Sequence, residues 1–388
     1  MSRFLAALLA TLCLFSLAAC GGAPPAPAPE APPPEETPSP PAPAEPAKPE
    51  DPVDALLSAM TLEEKVGQLF FVRCPADNAV SDVSAYSLGG YILFGRDTAD
   101  KTANDLIQAI QSYQDAAAIP LLIGVDEEGG SVVRVSSNPH LRSSKFKSPQ
   151  ALFAAGGLDA ILADAHEKDV LLSALGFNVN LAPVADVSTD PGDFIYSRAL
   201  GQDAAATAAY TAALVRQMDA DKMGSVLKHF PGYGNNADTH TGSAVDKRPL
   251  ERFQAADFLP FQSAFETLSG KTSVLVSHNV MTAVDDTLPA SLSPAVHALL
   301  RRDLGFDGVV MTDDLAMDAV SAYAGDGDSA VLALQAGNDM VVTTDYRAQI
   351  PRVLQAVEDG TLEREAVDDA CRRVLTWKQA LGLLEARP

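Results

Sequence analysis

The chain has 388 residues, 28 Lys+Arg against 51 Asp+Glu, a formal net charge of -23 and 47% hydrophobic residues. An acidic balance of this size argues against a nucleic-acid partner, because phosphate contacts need clustered positive charge. The apolar fraction suffices for one large core or two to three smaller ones.

Met1-Ser2-Arg3 and the apolar run Phe4 to Leu17 read as a signal peptide over residues 1–19, too short and wrongly flanked for a spanning helix. Leu17-Ala18-Ala19-Cys20 followed by Gly21-Gly22 resembles a bacterial lipoprotein processing site. Cleavage before Cys20 leaves a thiol to carry diacylglycerol, which holds the protein on a membrane of the cell envelope, outside the cytoplasm, by apolar burial. Residues 20–51 contain nearly half of the 27 prolines, mixed with Ala and Glu. Such a segment has no apolar face to bury and favours extended polyproline geometry, a semi-rigid stalk reaching at most about 90 Å at ~3.1 Å per residue. Of the 4 cysteines, only Cys74 and Cys371 lie in the remaining body, where they either pair or stay as separate core thiols.

Residues 52–388 read as one domain. Thr61-Leu-Glu-Glu64 is a capping-box pattern that starts a helix through Lys65 and Val66. Short apolar runs then recur at Val66–Val72, Tyr91–Phe94, Leu121–Val125, Val179–Val184, Ser225–Leu227, Val274–Val276, Val309–Met311 and Met340–Val342. Between them, amphipathic stretches such as Thr102–Tyr113, Ala151–Leu175 (interrupted at Gly156-Gly157), Ala204–Met218 and Leu292–Leu304 read as helices. Eight strands alternating with helices predict an α/β fold of the (β/α)8 barrel type, with an irregular first strand; an open doubly wound sheet is the other arrangement of this pattern.

A barrel gathers the residues at its C-terminal strand ends into one mouth. Asp126, Asp186, Lys228-His229, His278 and Asp313 each follow a predicted strand. A strand-end carboxylate such as Asp313 is suited to attack an anomeric carbon or to stabilise an oxocarbenium ion, although Asp313 or Asp314 also fits as a helix cap. Asp238-Thr-His240 sits in a polar loop, where Asp238 can orient the His240 imidazole as an acid and then a base, or both can be surface groups. Lys228 and His229 are placed to bind sugar hydroxyls or to pair with neighbouring carboxylates, Asp126 to accept from adjacent hydroxyls, and Arg134 and Arg198 to add donors. His229, His240 and Asp238 can in principle assemble around a metal, but there is no His-Glu-x-x-His pattern and no Cys/His spacing for structural zinc; no metal or cofactor is expected.

The motifs Lys-His-Phe-Pro-Gly-Tyr-Gly-Asn-Asn-Ala-Asp-Thr-His (228–240), Val-Asp-Glu-Glu-Gly-Gly (125–130) and Leu-Leu-Arg-Arg-Asp-Leu-Gly-Phe-Asp-Gly-Val-Val-Met-Thr-Asp (299–313) resemble the signatures of glycoside hydrolase family 3. The histidine two residues after an aspartate is similar to its β-N-acetylhexosaminidase branch. The resemblance implies a retaining exo-β-N-acetylglucosaminidase with Asp313 as nucleophile, His240 as acid/base and Asp238 orienting it. It also implies sugar contacts from Asp126, Arg198, Lys228 and His229, with Arg134 nearby. The expected partner is a carbohydrate ending in β-linked N-acetylglucosamine, such as a cell-wall fragment, and the expected state is a monomer. A β-glucosidase or β-xylosidase, a phosphorylase of the same group and a non-catalytic sugar-binding lipoprotein are the alternatives. The chain departs from the family pattern at Tyr233, where histidine is usual, at a shorter interval from Lys228 to Asp238, at Ser131, and at Ala199-Leu200.

Overall fold

The computed structural model describes Ala26 and residues 51–238, 244–267, 269–321, 323 and 329–384, apart from the side chain of Asp318. The chain divides into two units, Met1–Pro49 and Glu50–Pro388, and the architecture below is that of the second. The signal peptide, Cys20 and all of the predicted stalk but Ala26 and Asp51 lie outside the described residues, as does His240.

Among the described residues ten strands follow in chain order: β1 Phe70–Arg73, β2 Gly90–Leu93, β3 Leu122–Val125, β4 Val179–Asn180, β5 Gly224–Phe230, β6 Val245–Asp246, β7 Thr272–Val276, β8 Val280–Met281, β9 Val310–Thr312 and β10 Val341–Thr343. Eight of them form one parallel sheet in the order β10-β1-β2-β3-β4-β5-β7-β9. The ends meet: Met311 bridges Met340 in parallel, Thr312 N donates to Met340 O at 3.2 Å, and Leu315 N donates to Val342 O at 2.9 Å. The sheet is therefore a (β/α)8 barrel, not an open sheet. Strands β6 and β8 form a separate parallel pair beside it.

Barrel closure needs large and small side chains to alternate inside. Phe71 supplies bulk on β1, and its neighbours across the sheet are glycines. A Cβ at Gly124 would fall 2.5 Å from Phe71 Cζ, and one at Gly90 would fall 2.9 Å from Phe71 Cδ2. Outside β5, β7 and β9 a second apolar cluster is built from Phe230, Phe253, Phe258, Phe261 and Phe306. The buried Asp339 carboxylate accepts from Val310 N at 2.8 Å and from Arg373 Nη1 at 3.0 Å, tying the helix Arg364–Ala380 to the start of β9.

Three sequence expectations shift. The predicted strand Val66–Val72 begins only at Phe70, because the Thr61/Glu64 capping box is formed and carries the helix Leu62–Gln68 through Val66. The predicted strand Val179–Val184 is regular only over Val179–Asn180; Ala182 N turns to Asn180 O, Pro183 has no N–H to contribute, and Val184 then pairs with Lys228 as an isolated parallel bridge. The stretch Leu292–Leu304 breaks into a 3₁₀ turn ending at Leu292, a short helix opened by Pro294, and a π-helical segment Leu299–Asp303. The interruption at Gly156-Gly157 is present: both residues leave helical geometry inside Pro149–Leu175. Cys74 and Cys371 are separate buried thiols.

Candidate active site

The C-terminal ends of the barrel strands surround a cleft of about 250 Å³ lined by Asp126, Arg134, Arg198, Lys228, His229 and Asp313, together with Arg73, Phe94 and Asp314. Six of the residues singled out in the sequence thus come together. Asp238 is half-buried on the loop after β5 and is not among the residues lining this cleft.

The segment after β3 places three successive acids in different roles. Asp126 Oδ1 and Glu128 Oε1 each accept from Lys228 Nζ at 2.6 Å. Glu127 instead turns into the protein, where its carboxylate accepts from the backbone N–H groups of Arg134, Val135 and Ser136 at 2.7, 2.7 and 3.1 Å. It therefore folds the loop that delivers Arg134 to the cleft. Gly129 and Gly130 follow with φ of +103° and +67° and lie directly against Lys147 and Ser148, where a side chain has neither the backbone angle nor the space.

Glu128 joins the network to the loop after β4. Arg198 donates to it through Nε at 3.0 Å and Nη2 at 2.7 Å, a bidentate pair, and Nη2 also lies 3.2 Å from His229 Nε2. A guanidinium only donates, so His229 Nε2 is an acceptor and Nδ1 carries the hydrogen, which it gives to Asp186 Oδ2 at 2.7 Å. Asp186 further accepts from His229 N at 3.2 Å and Tyr233 N at 2.7 Å. The Lys228–His229 peptide is cis, and both side chains line the cleft. The result is one chain of groups, Asp126–Lys228–Glu128–Arg198–His229–Asp186.

Burial opposes the charges of Glu128, Lys228 and Arg198. It raises the Glu128 carboxyl, but the Lys228 and Arg198 charges outweigh it and hold the group well below the usual carboxylate range. Burial likewise lowers Lys228 and Arg198, and their carboxylate partners outweigh it and hold both above their ordinary values. With each cation bonded to carboxylates, the network offers the cleft mainly hydrogen bonds. Lys228 has three donor protons and uses two on Asp126 and Glu128, and Arg198 keeps Nη1 beyond its bonds to Glu128 and His229. Sugar hydroxyls, each both donor and acceptor, suit such a surface.

Asp313 ends β9 opposite this network. Its backbone N–H donates to Val276 O at 3.0 Å, and its Oδ1 accepts from Asp314 N at 2.9 Å. Asp314 Oδ1 accepts from Ala316 N at 3.0 Å, so Asp314 takes the turn-capping position. His278, at the end of β7, is fully buried between Ser291 Oγ at 2.7 Å and the Asp314 carbonyl at 3.0 Å, and it steadies the segment that carries Asp313.

The loop carrying Asp238 is fastened at both ends. Arg248 donates from Nε to both Asp246 oxygens at 3.0 Å, from Nη1 to both Asp257 oxygens at 2.9 Å, and from Nη2 to Gly232 O at 3.1 Å. Asn236 Nδ2 bridges Tyr233 O at 2.8 Å and Asp246 Oδ2 at 2.5 Å. Gly232, at φ +116°, lies so near that a Cβ would fall 2.6 Å from Asp257 Oδ1. Tyr233 sets its ring edge-on to His229, 5.1 Å between centroids, and beside Phe194 at 5.6 Å. At the position where the family motif has histidine, this chain thus has an aromatic link from the loop to the segment before Arg198.

Sequence reasoning missed Glu128 and Arg73 as components of the site, and it placed Asp186 at the barrel mouth without giving it a role. Asp186 carried a signal, since it follows a predicted strand. Glu128 stood in an acidic run whose three members are told apart only by where each side chain points.

Residues 61–377 match the family model described as the glycosyl hydrolase family 3 N terminal domain. The chain belongs to glycoside hydrolase family 3. It is 34% identical over 338 residues to the beta-hexosaminidase LpqI of Mycobacterium tuberculosis, covering 84% of each chain, and 36% identical to a beta-hexosaminidase of Stenotrophomonas maltophilia, covering 72% of this chain and 83% of that one. Among solved structures, it superposes with a TM-score of 0.78 at 32% identity on a family 3 beta-N-acetylglucosaminidase from Paenibacillus, covering 85% of this chain and 64% of that one. The corresponding values for Mycobacterium tuberculosis LpqI are 0.76, 30%, 84% and 96%. The chain is accordingly a glycoside hydrolase.

Proposed function

We propose that this family 3 enzyme is a retaining exo-β-N-acetylglucosaminidase that uses Asp313 as nucleophile and His240, oriented by Asp238, as acid/base. The observation that carries the reading is the strand-end carboxylate of Asp313 in the same cleft as the Lys228–Arg198 hydrogen-bonding network. The names of the relatives support the choice of sugar.

In the first step the Asp313 carboxylate attacks the anomeric carbon while His240 gives its proton to the leaving oxygen, and a glycosyl-aspartate forms. Water then attacks from the opposite face with His240 as base, and the sugar leaves in its original β configuration. The substrate acetamido group serves recognition, because the protein supplies the nucleophile. Asp126, Lys228, Arg198 and His229 hold the hydroxyls of the terminal sugar. Cell-wall fragments are the natural substrates in this reading, with the enzyme tethered at the envelope through lipid on Cys20.

The test is a panel of aryl β-glycosides with the released anomer followed by NMR. The expected result is hydrolysis of the N-acetylglucosaminide with β product first. Release of the α anomer, or preference for an acetamido-free glycoside, refutes the assignment. Failure of a Cys20→Ala change to release the protein from membranes refutes the anchor.

A further inference from the structure

A cavity of about 20 Å³ adjoins Glu128 between the helices Pro149–Leu175 and Ala204–Ala220 and the segment after β4. Its polar side chains are Glu128, Asp164, Lys168, Asp169, Asn180 and Tyr210. None of them lines the cleft, but Glu128 bonds to Lys228 and Arg198, which do. Asn180 is occupied at both ends of its amide, accepting from Glu127 N at 3.0 Å and donating to Glu127 O at 3.2 Å. Asp164, Lys168 and Asp169 are less well supplied. Asp164 Oδ2 and Asp169 Oδ2 are buried and have no hydrogen-bond partner among the described residues. Lys168 Nζ lies 3.3 Å from Asp164 Oδ2, an ion pair without a hydrogen bond, and 3.4 Å from the Glu128 carbonyl, both beyond the usual span of roughly 2.7–3.2 Å.

Burial sets the charge of this lining. It pushes the Asp169 carboxyl up to about 8 and, with the Glu128 and Asp164 charges, holds the Tyr210 phenol above its ordinary range. Near neutral pH Asp169 and Tyr210 are therefore uncharged, while Asp164 and Lys168 oppose one another with one charge each. An ion of either sign would disturb that balance, whereas a neutral molecule with both donors and acceptors completes it. Folded proteins avoid leaving buried carboxylate oxygens and ammonium protons desolvated and unbonded. A buried water needs roughly 10–15 Å³ and two to four polar partners, and the cavity offers both.

We propose that this cavity is a water site, and that the bound water and Lys168 form a support behind Glu128 which positions the Lys228–Arg198 network of the cleft. The water gives a hydrogen to Asp164 Oδ2, accepts from Lys168 Nζ and the Tyr210 hydroxyl, and bonds to Asp169 Oδ2. Lys168, so held, keeps its contact with the Glu128 carbonyl, one residue before the turn at Gly129 and Gly130. Lys168 is a positioning residue in this arrangement, since it reaches the cleft only through Glu128. The inference rests on the network binding substrate, as in the reading above, and not on which sugar is cleaved.

Two measurements test this. A high-resolution crystal structure of the wild-type enzyme is expected to show density for a water within about 3.2 Å of Asp169 Oδ2 and Lys168 Nζ; a cavity without density overturns the water site. The second measurement is a double-mutant cycle of Lys168→Met with Glu128→Gln. It uses whichever aryl β-glycoside the wild type cleaves fastest, so that a refuted choice of sugar leaves it intact. Lys168→Met lowers kcat/KM about tenfold or more when Glu128 is present, and about twofold or less when Glu128 is already Gln, because the two residues act in series. Equal losses in both backgrounds mean that Lys168 serves the fold alone, and they overturn the positioning role. Should Lys168→Met not fold, Lys168→Gln, which keeps a donor but removes the charge, takes its place in the cycle with the same two outcomes.

Discussion

Replacing Glu128 by Gln removes the one carboxylate shared by Lys228 and Arg198 while keeping its shape. In the wild type, Asp126 and Glu128 balance the two cations, and the Glu128, Lys228 and Arg198 side chains are 2%, 3% and 15% exposed. The variant leaves the two buried cations with Asp126 as their one directly bonded carboxylate, Asp186 reaching Arg198 only through His229. Breaking one partner out of a buried pair costs about 3–5 kcal/mol, since the remaining charge stays desolvated. An unfolding entropy of ~2.1 cal/mol/K per residue over roughly 340 residues is about 0.7 kcal/mol/K, so the expected fall in Tm is about 4–7 °C. Because Lys228 and Arg198 are no longer held in place, kcat/KM drops by about 10²-fold. The sign of the pH dependence follows from the depressed Glu128 pKa. The stabilisation is complete above the unfolded carboxyl value of roughly 4.3 and is lost as pH falls from there through the folded value, so the Tm gap narrows in acid. Calorimetric unfolding from about pH 2.5 to 8, with kinetics on an aryl glycoside near neutral pH, reads both effects. A Tm within about 1 °C of wild type at pH 7 with unaltered kinetics refutes the view that Glu128 holds the network together.

Asp313→Ala is expected to lower kcat by ~10³-fold or more with little change in Tm, and a variant retaining near-wild-type turnover removes Asp313 as the nucleophile. Gly232→Ala places a Cβ against Asp257 at a positive φ; it is expected to destabilise by about 2 kcal/mol or more and to lower kcat more than it raises KM, measured by denaturant titration and steady-state kinetics. Lys378 is wholly buried with its Nζ 2.6 Å from Gln68 Oε1, and burial pulls its pKa down to about 7. Between that value and an unfolded value of roughly 10.4 the unfolded chain binds the extra proton, so this group adds stability as pH rises through the window. Lys378→Met removes that contribution, and the stability difference from wild type, followed by urea titration from pH 6.5 to 9.5, must change with pH in that direction.

The alternation of apolar runs and amphipathic stretches determined the eight strands with helices between them and the polar residues at their C-terminal ends, because strand and helix periods are properties of local sequence; closure of the sheet into a barrel was decided by the contacts of β9 with β10. Asp126, Lys228, His229 and Asp313 were legible for that reason. The start of β1 was not, since Val66 is apolar in either state and the capping box that settles it acts several residues upstream. Nor was the pairing inside the cleft. Glu127 and Glu128 are the same side chain one residue apart, and only the barrel's closure turns one toward backbone N–H groups and the other toward Arg198, 70 residues further on. Arg73 likewise has no motif around it, and its place beside Phe94 and Arg134 exists only once β1, β2 and β3 lie side by side. Residue type and spacing fix what chemistry a group can perform; which groups share a desolvated space, and which charges are left unmatched there, is decided by contacts distant in sequence.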